Sequence, residues 1–154
     1  IAGPSASGKS TLCEELVQKI PDSLWVSQDH YWKDPEQFPK VNRLKNWELP
    51  SGIDFDRLYH NLLDLKRGKS TVAPLWVRGK YPPKTQTILP RKVILAEGFR
   101  LWNDVRIREL FDFRIYMLIA STKPLILLYH DGFLRISLLK YNIESKDVKN
   151  YYKE

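Results

Sequence analysis

The stretch Gly3-Pro4-Ser5-Ala6-Ser7-Gly8-Lys9-Ser10 constrains this chain more than any other. It fits the spacing G-x-x-x-x-G-K-[ST] at every fixed position. Glycines let the main chain wrap an anion with no Cβ in the way. Successive backbone N–H groups then point inward as a cationic cradle. A helix beginning near Lys9 aims its positive end at the same anion. Lys9 adds a mobile charge for the outer phosphates of a nucleoside triphosphate, and the Ser10 hydroxyl can hold Mg²⁺. Gly3, Ser5, Ala6, Ser7, Gly8, Lys9, Ser10 and Thr11 are therefore the nucleotide-binding candidates. The competing reading, a chance glycine- and serine-rich loop, leaves Lys9 and the helical run after it unexplained.

Such a loop needs a strand before it and a helix after it. Ile1 and Ala2 read as the end of that strand, and the sequence is expected to be trimmed of the rest. Leu12, Leu16 and Ile20 recur at helical spacing with Cys13 and Val17 beside them, and Pro21 ends the run. Residues 24–27, LWVS, read as a short strand. Residues 28–52 are polar, aromatic and proline-rich and read as loop with one helical turn. Asp54 opens a second helix with Phe55, Leu58, Leu62 and Leu65 inward and Gly68 past its end. TVAPLWV and TQTIL flank RGKYPPK as a hairpin or two edge segments. KVILAEG and FRIYMLIA read as buried strands, with DVRIRELF a short helix between them. PLILLYH, from Pro124, is expected to be helical, and FLRISLLKY resumes the apolar pattern after Asp131 and Gly132. Strands alternating with helices imply an α/β fold of three layers, a central parallel sheet covered on both faces.

With 154 residues and a formal net charge of +7, the chain has room for one domain with a real core. Its single cysteine, Cys13, excludes an intramolecular disulfide. The longest apolar runs, 115–120 and 125–129, are far too short to span a bilayer as helices. A cytoplasmic place, with the nucleus as an alternative, is the expectation. The basic residues are scattered and nowhere form a run of five. An anionic small ligand therefore accounts for them better than nucleic acid or a membrane surface. His30, His60 and His130 show no metal-ligand spacing with Cys13 or with each other.

Three further stretches carry a resemblance. SQDHYWKD at 27–34 is similar to the Q-D-[SD]-[FY]-[YF]-K motif of small P-loop nucleoside kinases, a group that includes uridine-cytidine and nicotinamide riboside kinases. NWELPSGIDFD at 46–56 resembles their N-W-D-x-P-x-A-[IL]-D-F-D. KVILAEG at 92–98 resembles the strand that ends [LV]-[LV]-x-E-G. The resemblance covers about residues 1–119 and implies a P-loop kinase fold in a single domain, 1–154. It implies ATP and Mg²⁺ as cofactors and a small-molecule nucleoside as partner, with transfer to its 5′-hydroxyl. Asp29 falls on the family's carboxylate that faces the acceptor hydroxyl and takes or orients its proton, acting with Lys9. Glu97, beside Ser10, falls on the carboxylate that reaches Mg²⁺. Trp47 and Glu48 fall on the residues for base and ribose, with Tyr31 near the acceptor pocket. Glu48 departs from the usual Asp by one methylene. Trp47 in place of Phe, with Ile53, Asp54 and Phe55, tilts the resemblance toward the nicotinamide riboside branch and so toward NAD biosynthesis. Uridine and cytidine are the alternative substrates. Arg78, Lys80 and Tyr81 are further candidates in the hairpin.

The resemblance breaks at about 121–140. There the family carries an arginine-rich helix and lid, and this chain reads STKPLILLYHDGFLRISLLK. Only Lys123, Arg135 and Lys140 are basic. Three readings stay open: Arg135 supplies the missing charge, the segment is divergent, or the protein binds nucleotide as an interaction module with weak turnover.

Overall fold

The computed structural model describes residues 1–77, 80–120, 123–130 and 133–137, with side chains through Leu118. Helix α1, Lys9–Lys19, follows the loop directly. Strand β1, Ser23–Ser27, and strand β6, Val93–Glu97, pair in parallel, Ser23 opposite Val93 through to Ser27 opposite Glu97. Ala2 bridges in parallel to Gly98 on one side and on the other to Tyr116, within strand β7, Arg114–Ala120. The parallel layer therefore runs β1, β6, residues 1–2, β7. Its hydrogen bonds are explicit: Gly98 N–H donates to Ile1 O at 3.1 Å, Ala2 N–H to Ile115 O at 2.8 Å and Met117 N–H to Ala2 O at 2.7 Å.

The sheet is covered on both faces because its strands alternate. Leu95, Ile115 and Met117 pack with Ile1 and Cys13 under α1. Val26, Ala96 and Tyr116 face the other way. They meet helix α2, Phe55–Lys66, and helix α3, Val105–Leu110. Helix α2 forms where the apolar spacing requires it. Asp54 accepts from Arg57 N–H as its cap, and Leu58, Leu62 and Leu65 are buried. Each such leucine contributes about 1.5–3 kcal/mol by leaving water.

Between β1 and α2 the chain makes three short 3₁₀ turns and a small hairpin, β2 (Lys40–Val41) with β3 (Leu44–Lys45). That is more order than the single turn expected. Asn42 and Arg43 close the hairpin at φ 51° and 65°. Strands β4, Thr71–Val77, and β5, Lys80–Ile88, form the antiparallel hairpin that was one of the two readings.

One expectation is overturned. Residues 124–130, read as helical, lie in strand β8, Lys123–His130, antiparallel to β7. Strand β9, Phe133–Ser137, continues the meander. A short apolar run fits a buried strand or a helix equally well by periodicity. The long pairing with β7, Ala120 opposite Lys123 through Arg114 opposite Tyr129, decides for the strand. Among the described residues no helix is long and apolar enough to cross a membrane.

Candidate active site

The loop at 3–10 closes against β7. Gly3 has φ +148°, and a Cβ there would stand 2.2 Å from Met117 O, so a side chain fits neither the conformation nor the space. Gly8 precedes α1 without a side-chain cap, which leaves the amides of the first turn to an outside acceptor. Lys9 is buried, and its Nζ donates to Pro4 O at 2.8 Å, folded back inside the loop. Burial lowers its pKa, against the attraction of Glu97 and Asp29. Ser7 Oγ is buried with no partner among the described residues. A helix start with no side-chain cap, a buried lysine and a serine hydroxyl without a partner among the described residues fit an oligophosphate.

Two carboxylates face this loop. Glu97 ends β6 and is 3% exposed. Asp29 sits in the 3₁₀ turn Gln28–His30 that follows β1. Burial raises the pKa of both above the usual range, while Lys9 pulls each back. Acids at the C-terminal ends of neighbouring parallel strands occupy the side where open α/β sheets bind ligands.

Trp47 and Glu48 arrive from the loop before α2. The Trp47 ring meets Phe38 at 4.8 Å, Trp32 at 5.2 Å and Trp76 at 6.0 Å between centroids, each edge-on. Arg100 anchors the same turn, donating from Nη2 to Glu48 O at 2.7 Å.

A cavity of about 260 Å³ gathers these groups. Ser5, Ala6, Lys9, Ser10, Asp29, Trp47, Glu48 and Glu97 line it, together with Trp32 and Phe99. Gly3, Ser7 and Gly8 shape the loop behind it. Thr11 is exposed on the first turn of α1. Tyr31 is a correction. It is 2% exposed, and its hydroxyl donates to Asn61 Oδ1 at 3.0 Å, inside the core and away from the cavity. The 3₁₀ turn sends Asp29 outward and Tyr31 inward. Arg135 lies on β9 opposite Leu128, its side chain outside the described residues. Arg78 and Lys140 also lie outside them. Phe99 was not singled out in the sequence. Its signal is an aromatic directly after the E-G that ends a buried strand.

The sequence model of the Phosphoribulokinase / Uridine kinase family matches residues 1–125. The chain belongs to that family. Among curated proteins, it is 35% identical over 126 residues to the uridine kinase of Serratia proteamaculans, covering 76% of this chain and 59% of that protein. It is 36% identical over 126 residues to the uridine kinase of Yersinia enterocolitica, with the same coverage. It is 30% identical over 119 residues to that of Borreliella burgdorferi, covering 76% and 58%. The chain thus spans about three fifths of the length of the curated relatives it matches. The fold is that of a solved structure described as a possible uridine kinase from Bacillus stearothermophilus. The TM-score is 0.62 and the identity 22%, over 75% of this chain and 66% of that one. Nothing in these matches supports the nicotinamide riboside branch suggested by Trp47 and the Ile53-Asp54-Phe55 run.

A second match falls at the other end. Residues 107–153 fit the sequence model of the Tubulin-tyrosine ligase family, overlapping the first match over 107–125. They contain the whole stretch in which the arginine-rich lid pattern breaks.

Proposed function

We propose that this protein transfers the γ-phosphoryl of ATP to the 5′-hydroxyl of a ribonucleoside, with uridine or cytidine as acceptor. One observation carries the reading: a single cavity brings together Lys9, Ser10, Asp29 and Glu97 with Trp47 and Glu48. The names of the relatives favour a pyrimidine nucleoside. Nicotinamide riboside stays a second reading, resting on Trp47 and on Ile53, Asp54 and Phe55.

The residues divide the work by position. The loop amides and Lys9 hold the phosphate oxygens, and Ser7 Oγ offers them a further donor. Ser10 and Glu97 would hold Mg²⁺, which when bound neutralises phosphate charge. Asp29 accepts the proton of the attacking hydroxyl. Trp47 and Trp32 offer ring surface to the base, and Glu48 accepts from ribose hydroxyls. A cytoplasmic place goes with this chemistry.

The test is a coupled assay with Mg·ATP and uridine, cytidine or nicotinamide riboside. Asp29→Asn is expected to lower kcat about 10²–10⁴-fold, the usual contribution of a positioned acid or base. Binding of ATP with no transfer to any riboside would favour the weak-turnover interaction module.

The domain reading has two forms. In one, residues 1–154 are one kinase domain with a divergent lid at 121–140, and Arg135 supplies charge to the transferring group. In the other, favoured by the match of 107–153 to a different family, the kinase unit ends with β7. Arg135→Ala separates them. The first form expects a kcat loss of about 10³ or more, the second expects none.

A further inference from the structure

We propose that Ser27 is the positioning residue of this site, one hydroxyl that sets both carboxylates. The inference rests on the kinase reading above for what the two acids do. It rests on geometry alone for how they are held.

Ser27 is the last residue of β1 and lies directly opposite Glu97 in the parallel register. Its Oγ donates to Glu97 Oε1 at 2.6 Å. The same oxygen accepts from Asp29 N–H at 3.3 Å, capping the 3₁₀ turn that presents Asp29. A hydroxyl has one proton to give and lone pairs to receive. Here the proton is committed to one acid and a lone pair to the backbone of the other. The consequence for Glu97 is a carboxylate held through Oε1 at the strand end. The consequence for Asp29 is a turn pinned to the strand end that carries Glu97. Ser27 does not line the cavity, so it acts through the acids rather than on substrate.

The neighbouring residue pair repeats the brace one step further along. Gln28 is 1% exposed, and its Oε1 accepts from Arg100 N–H at 3.1 Å. The Gln28 side chain crosses Gly98 so closely that a Cβ there would lie 2.2 Å from Oε1. The ends of β1 and β6 are therefore joined twice by side chains beyond their ladder bonds, and of the two joints only Ser27 touches both acids.

The test compares full-length wild type with Ser27→Ala, Ser27→Thr and Ser27→Val. The first readout is free of turnover: Mg²⁺ is titrated at a fixed concentration of a non-hydrolysable ATP analogue, and binding is followed by the thermal shift. Loss of a hydrogen-bonded partner behind a metal ligand costs about 10–100-fold in affinity or activity. Ser27→Ala is expected to raise the half-saturating Mg²⁺ about tenfold and to lower kcat about tenfold, with KM for the nucleoside unchanged. Ser27→Thr keeps the hydroxyl and is expected to stay near wild type. If Ser27→Ala does not fold, Thr and Val decide, since they share a shape and only Thr can donate. Wild-type Mg²⁺ dependence and kcat in Ser27→Ala, or equal losses in Thr and Val, overturn the proposal. Wild type that transfers to no nucleoside, yet shows the Ser27-dependent Mg²⁺ shift, sinks the kinase reading and leaves the positioning role standing.

Discussion

Replacing Tyr31 by Phe separates a core residue from a substrate contact. Tyr31 donates to Asn61 Oδ1 at 3.0 Å, and Asn61 Nδ2 donates in turn to Thr71 Oγ1 at 2.6 Å. The chain of bonds ties the turn after β1 to α2 and β4. Burial pushes the phenol pKa above its ordinary value, so the hydroxyl stays a donor at any working pH. Tyr31→Phe removes one donor and leaves a buried amide oxygen without a partner. An orphaned buried acceptor costs about 1–3 kcal/mol. In a chain of this size each kcal/mol moves Tm by about 2–4 °C. The central expectation is a fall of about 4–8 °C by tryptophan fluorescence, with KM for the nucleoside unchanged in the coupled assay. An unchanged Tm with a raised KM would refute the reasoning and return the Tyr31 hydroxyl to the substrate pocket.

Two further outcomes follow from the packing around the loop. Cys13 is fully buried, and burial pushes its thiol from 9.0 up to about 12. A disulfide reagent at pH 8 should leave the native protein unlabelled and react at once after denaturant. Because the native thiol keeps its proton while the unfolded one ionises near 9.0, stability should fall as pH rises from about 9 to about 12, and less so in Cys13→Ala. Gly98→Ala puts a methyl 2.2 Å from Gln28 Oε1 and 2.5 Å from Gln28 Cβ. Overpacking of this kind costs about 1–3 kcal/mol, and a Tm equal to wild type would contradict the crowding.

What the sequence made legible was local. The G-x-x-x-x-G-K-S spacing, the Asp54 cap and the leucine period of α2 each carry their meaning within about a dozen residues. The structure places the loop and helix accordingly. Asp29, Glu97, Trp47 and Glu48 were named from motifs that resemble those of the kinase group, and they line one cavity. Tyr31 was misjudged because adjacency to Asp29 in sequence says nothing of the direction a 3₁₀ turn imposes. Residues 124–130 were misjudged because PLILLYH carries no period that distinguishes helix from strand, and its partner strand lies outside any local window. The break in the lid's arginine-rich pattern was plain in the sequence. That the same residues fit a second family emerged only from comparison.

Strand β7 has a consequence for how the protein is made. The main chain of Ile1 and Ala2 is held by residues 96 and 98 on one side and 115 and 117 on the other. Contacts of such separation form late, because a long loop must close before they are rewarded. A ribosome therefore emits the phosphate cradle and must add more than a hundred further residues before that cradle has walls. Ligand capture by a nascent chain would mark the moment when Met117 clears the exit tunnel.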